Sequence, residues 1–106
     1  KLLKVYTQYN MADLGPRKIL VIDDNVTNLA ILKSQLELWN LVPILASSGE
    51  RALNILSTDT QIDLVLTDMQ MPIMDGLQLA KQVKKFYPSL PIMLLSSVGE
   101  DYKQTN

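Results

Sequence analysis

Three acids and one hydroxyl in this 106-residue sequence stand where chemistry is feasible. Asp23 and Asp24 follow the apolar run Lys18-Ile19-Leu20-Val21-Ile22, Asp68 closes Leu64-Val65-Leu66-Thr67, and Ser96 follows Ile92-Met93-Leu94-Leu95. Continuous apolar runs of this length are the pattern of parallel strands buried on both faces. Their ends therefore present polar groups at the carboxyl edge of a sheet, where open α/β sheets bind ligands. Parallel neighbours lie about 4.8 Å apart, so if the strands ending at Asp23 and Asp68 are adjacent, three carboxylates converge within a few ångströms. Like charges that close require a proton or a cation among them. An all-oxygen donor set suits Mg²⁺ better than a soft transition metal. A carboxylate beside such an ion can act as nucleophile towards a phosphoryl group, and Ser96 could hydrogen-bond one of its oxygens. The set reads as a phosphoryl acceptor.

The elements that must position these groups follow from periodicity. After the first strand, Asp23-Asp24-Asn25 supplies a turn and a helix cap. Leu29, Leu32, Leu36 and Trp39 then make one apolar helix face, with Trp39 at its end. Val42 to Ala46 predicts a second strand, at the sheet edge because Pro43 cannot donate to a central ladder. Ser47 with Glu50 has capping-box spacing for a helix through Ala52, Leu53 and Leu56. The third strand runs from Asp63 to Asp68. Asp75 with Gln78 repeats the capping-box spacing, and Leu79, Ala80, Val83 and Phe86 give the next helix its inner face. Tyr87-Pro88 ends that helix. Met69, Met71 and Met74 read as loop packing. Leu90 to Ser97 predicts a fourth buried strand. Strand and helix alternate, which implies parallel strands, right-handed crossovers and helices on both faces.

Composition narrows the function classes. A length of 106 residues with 47% hydrophobic content suits one core, and ten basic against eleven acidic residues, without a basic block, give no footprint for nucleic acid. There is no cysteine, hence no disulfide or thiolate metal site, and the cytoplasm is the expected location. No apolar run approaches the roughly 18 residues of a membrane span, so no membrane contact is expected. There is also no histidine, so a phosphohistidine must come from elsewhere and the chain is not itself a histidine kinase. Residues 1–17 close on Leu14-Gly15-Pro16-Arg17 and read as a linker or the tail of an upstream helix, the alternative being an extra helix packed on the domain.

Asp23-Asp24, the run Thr67-Asp68-Met69-Gln70-Met71-Pro72-Ile73-Met74-Asp75-Gly76, and Pro91-Ile92-Met93-Leu94-Leu95-Ser96-Ser97 resemble, in this order and spacing, the receiver domains of two-component response regulators and hybrid histidine kinases. The similarity covers roughly Lys18 to Ser97 of a domain taken as 18–106. It implies an α/β, flavodoxin-like fold with sheet order 2-1-3-4-5. It makes Asp68 the phosphorylation site, Asp24 a direct Mg²⁺ ligand, Asp23 a companion acting mainly through water, and the backbone carbonyl of Gln70 a further ligand. Ser96 matches the switch hydroxyl that turns towards the phosphoryl group, a place more often held by Thr, and Ser97 stands where the family usually has Ala. The implied partner is a phosphohistidine-bearing kinase or phosphotransfer domain. The Asp-Met-Gln-Met-Pro form and the preceding linker point towards a hybrid kinase as parent.

One departure from the family carries expectations of its own. Receivers place a Lys at the end of a fifth strand, whereas this sequence stops at Asn106, and Lys103 is too near the fourth strand to take that role. The expected sheet is truncated after the fourth strand, with one face partly uncovered and an open edge, so a homodimer through that face or edge is expected. Two rival functions differ in class. One is a pseudo-receiver that only binds protein. The other is a Mg²⁺-dependent phosphohydrolase of the haloacid dehalogenase kind, which wants an acid two residues after its nucleophile, where this chain has Gln70.

Overall fold

The computed structural model describes residues 17–95, within which strands and helices alternate. In chain order they are β1 (Lys18–Ile22), α1 (Val26–Leu38), β2 (Val42–Ala46), α2 (Gly49–Thr58), β3 (Leu64–Asp68), α3 (Gly76–Phe86) and β4 (Ile92–Leu95). The expectations for residues 1–16, for Ser96 and Ser97, and for Lys103 lie outside the described residues.

The four strands form one parallel sheet in the order β2-β1-β3-β4, matching the first four places of the order 2-1-3-4-5. Side chains of β1 point alternately to the two faces, and both faces are covered. Ile19 and Val21 meet Leu29, Leu32 and Leu36 of α1, together with Leu66 and Leu95. Leu20 and Ile22 meet Ala52 and Leu56 of α2, Leu79 and Val83 of α3, and Val65. Full burial of a Val, Leu or Ile side chain stabilises by about 1.5–3 kcal/mol, so β1 and β3 are anchored from above and below. Their ends are therefore fixed points. β2 lies at an edge, as Pro43 requires.

The local signals fare unevenly. Asn25 caps α1, its side chain accepting the Asn28 N–H at 3.1 Å, and Asp75 and Gln78 form a full capping box on α3. Trp39 is the C-cap of α1, half-buried beside the leucines of that face. The expected Ser47 and Glu50 box is not the cap of α2. Ser48 takes that place, accepting the Arg51 N–H at 3.1 Å, because the helix begins one residue later. Glu50 remains in the first turn, where a negative charge still favours the helix dipole. Phe86 does not join the inner face of α3. It is 60% exposed, with the Lys85 ammonium 5.5 Å from its ring centre, and Tyr87 returns to the core instead. β4 begins at Ile92 rather than Leu90 and is less buried than expected. Only Leu95 is buried, because β4 has a partner strand on one side among the described residues.

Candidate functional site

The pairing of β1 with β3 runs to Ile22 opposite Thr67. Asp23 and Asp68, one residue further on each strand, thus emerge side by side at the carboxyl edge. One carboxylate oxygen from each of Asp23, Asp24 and Asp68 lies within 4.8 Å of the others. Asp23 is only 1% exposed and Asp68 9%, whereas Asp24 is exposed to solvent. The cluster is thus closed underneath and open above.

Each acid is held by its own segment. The Asp23 N–H donates to the Ala46 carbonyl at 3.1 Å, which ties it to β2, and its Oδ1 accepts the Asn25 N–H at 2.9 Å. That second bond folds the chain into the turn that starts α1. On the neighbouring strand the Thr67 hydroxyl donates to the Asp68 carbonyl at 3.1 Å, and the Met69 N–H donates to the Leu95 carbonyl at 2.9 Å. The Gly76 N–H then donates to the Met69 carbonyl at 2.9 Å, closing the loop that carries Gln70. Met71 and Met74 pack on the core beneath this loop, as expected of them. Gln70 is exposed, two residues beyond Asp68.

Three like charges within 4.8 Å raise each other's electrostatic energy, and a cation among them removes that cost. The donor set is oxygen only and open on the Asp24 side, which fits Mg²⁺, an ion that keeps several waters. The residues present therefore fit this ion. Asp23, Asp24 and Asp68 are brought together as the sequence suggests, Gln70 follows on the adjoining loop, and Ser96 lies outside the described residues.

Two supporting residues carry no chemical signature in the sequence. Thr67 reads as one more strand residue, although its hydroxyl is buried on the Asp68 carbonyl. Gly76 reads, with Asp75, as the opening of a helix and is indeed the first residue of α3, but its burial against β3 is not read from the sequence. Glycine inside a helix start, where Ala would be favoured, is the signal that could have marked it.

Comparison with known proteins identifies the family and agrees with the fold. The family model for the response regulator receiver domain matches residues 19–106. The transcriptional regulatory protein ZraR of Klebsiella oxytoca is 37% identical over 79 residues, which are 74% of this chain and 18% of that protein. The alkaline phosphatase synthesis transcriptional regulatory protein PhoP of Bacillus subtilis is 34% identical over 86 residues, 81% of this chain and 35% of that protein. The chain thus spans about a fifth to a third of the length of these two relatives. A response regulator receiver domain protein from Clostridium thermocellum superposes with a TM-score of 0.75 at 35% identity, covering 82% of this chain and 70% of that one. The response regulator TrrA of Thermotoga maritima, solved in complex with Mg(2+)-BeF, gives a TM-score of 0.71 at 33% identity, covering 76% of this chain and 69% of that one. With its flavodoxin-like order of strands and its family match over 19–106, the chain belongs to the response regulator receiver domain family.

Proposed function

We propose that this receiver domain is a phosphoacceptor switch in which Asp68 takes a phosphoryl group from a phosphohistidine. The observation that carries the reading is the approach of Asp23, Asp24 and Asp68 to within 4.8 Å at the ends of two buried, adjacent strands. Asp23, Asp24, Asp68 and the Gln70 carbonyl are the groups that would hold Mg²⁺. When bound, the ion supplies charge neutralisation for the carboxylates and for the phosphoryl oxygens. That TrrA was solved in complex with Mg(2+)-BeF supports Mg²⁺ as the ion here.

The chain's own part in the transfer is positional. An Asp68 carboxylate oxygen attacks phosphorus, an O–P bond forms as the P–N bond to the donor imidazole breaks, and the electron pair leaves with the imidazole nitrogen. That nitrogen is protonated from solvent. Because β3 is buried on both faces and its carbonyl is held by Thr67, Asp68 meets its donor with little freedom left to lose. We read Ser96, from the family resemblance, as the hydroxyl that reports the phosphorylated state.

Receiver domains generally work with histidine kinases or phosphotransfer proteins. The absence of histidine from all 106 residues makes the donor a separate protein or another domain, and residues 1–17 are read as a connection to one. A cytoplasmic location suits such a partner. Among the described residues no helix is long and apolar enough to cross a membrane.

Incubation with MgCl₂ and acetyl phosphate, followed by intact mass measurement, tests the reading. A gain of one phosphoryl group that EDTA prevents is the expected result. An unchanged mass in protein shown to be folded by circular dichroism would overturn it.

A further inference from the structure

The peptide that joins Gln70 to Met71 is held from both sides. Before it, both polar groups of the Met69 backbone are bonded: the N–H donates to the Leu95 carbonyl at 2.9 Å, and the carbonyl accepts the Gly76 N–H at 2.9 Å. After it, the hold is a side chain. Met71 is 9% exposed and belongs to the core cluster of Leu20, Ile22, Ala46, Ala52 and Leu79. Pro72 follows directly and disfavours the helical region for Met71, which leaves the Met71 backbone few alternatives.

What this peptide carries gives those constraints a use. Its planar unit contains both the Gln70 carbonyl and the Met71 N–H, so a Met71 that turns takes the carbonyl with it. Gln70 itself is exposed, whereas Met71 reaches the core. Two residues span at most about 7 Å, which keeps the Gln70 carbonyl close to Asp68 and so to the acid cluster. Loop packing alone would make Met71 a matter of stability. Its direct bond to the Gln70 carbonyl carbon makes it a matter of cation affinity as well.

We propose that Met71 is a positioning residue for the cation: its buried side chain orients the Gln70 carbonyl towards the ion that Asp23, Asp24 and Asp68 would hold. The inference rests on the reading of that cluster as a Mg²⁺ site. Groups that orient a metal ligand without touching the metal typically contribute about tenfold or more to affinity. The three carboxylates still attract the ion when the carbonyl swings away, so binding weakens without vanishing.

The experiment titrates the 106-residue chain and four variants with MgCl₂ by calorimetry, alongside thermal melts in EDTA. Met71→Ala should lower Tm and weaken Mg²⁺ binding about tenfold or more. Met71→Leu, apolar and close in volume, should restore both. Met71→Val, a smaller truncation, should fall between Met71→Ala and the unsubstituted chain, and it decides the matter where Met71→Ala does not fold. Val83→Ala opens a gap in the same core cluster, in the part of α3 far from Gly76, and supplies the comparison: Tm falls and Mg²⁺ affinity stays. A folded Met71→Ala or Met71→Val that melts lower yet binds Mg²⁺ as the unsubstituted chain does overturns the inference, since packing alone would do that. Equal weakening in Val83→Ala overturns it too, and so does weak binding in Met71→Leu. No Mg²⁺ binding by the unsubstituted chain overturns the reading of the acid cluster and the inference with it.

Discussion

A methyl group at Gly76 would lie 2.3 Å from the carbonyl oxygen of Asp68 and 2.8 Å from the Cα of Met69. The first turn of α3 thus rests directly on the end of the strand that bears the central acid. The contact is backbone on backbone, so no side-chain rotation can relieve an added Cβ.

Two effects oppose each other in Gly76→Ala. Alanine is favoured over glycine in a helix by about 1 kcal/mol. Overpacking a closed contact costs about 1–3 kcal/mol, and here the neighbour cannot rotate away, so the clash should win. The variant is expected to melt lower than the unsubstituted chain and to bind Mg²⁺ more weakly, because α3 and the Asp68 backbone must part. Thermal melts and calorimetric titration with MgCl₂ check the two outcomes separately. A variant with raised Tm and unchanged Mg²⁺ affinity would contradict the contact.

The acid cluster sets a second expectation. With three carboxylates within 4.8 Å, Asp23→Asn removes one like charge, and the variant should be at least as stable as the unsubstituted chain when EDTA is present. Added MgCl₂ should raise the Tm of the unsubstituted chain, since a ligand that binds only the folded state stabilises it. The same addition should move the Tm of Asp23→Asn and Asp68→Asn little. Equal Mg²⁺-induced shifts in all three proteins would remove the cluster from the account.

Away from the site, Asp59 gives a pH dependence with a defined sign. The Lys18 ammonium, hydrogen-bonded at 2.8 Å, and next the Gln61 N–H at 2.9 Å hold its carboxyl below the usual carboxylate value. A depressed folded-state pKa contributes stability above the unfolded value of about 4, and that contribution is lost as pH falls through the folded value. The Tm difference between the unsubstituted chain and Asp59→Asn should therefore be present near neutrality and close under acid. The pair is partly exposed, so the difference should be small and should shrink in high salt. A gap that widens on acidification would reverse the assignment.

The sequence made the sheet legible because β1 and β3 are buried on both faces. Such strands read as unbroken apolar runs with acids at their ends, and Pro43 marked the edge. The adjacency of Asp23 and Asp68 was different. It depends on β1 pairing with β3 across two helices, which no local pattern states, and it entered through the resemblance. The misplaced cap shows a similar limit: Ser47 and Ser48 are both competent caps, and the burial of Gly49 and Ala52 decides between them. Phe86 shows another. Helical spacing points it inwards, but Tyr87 and Leu90 already fill the core at that end.

The central claim is that the acid at the end of β3 receives the phosphoryl group. Intact mass after incubation with MgCl₂ and acetyl phosphate should be compared for Asp68→Asn and for Asp63→Asn, whose acid lies just before the opposite end of β3, bonded to the Lys18 N–H at 2.9 Å. The account requires one phosphoryl group on Asp63→Asn and none on Asp68→Asn. Labelling of folded Asp68→Asn to the same extent as the unsubstituted chain would contradict it.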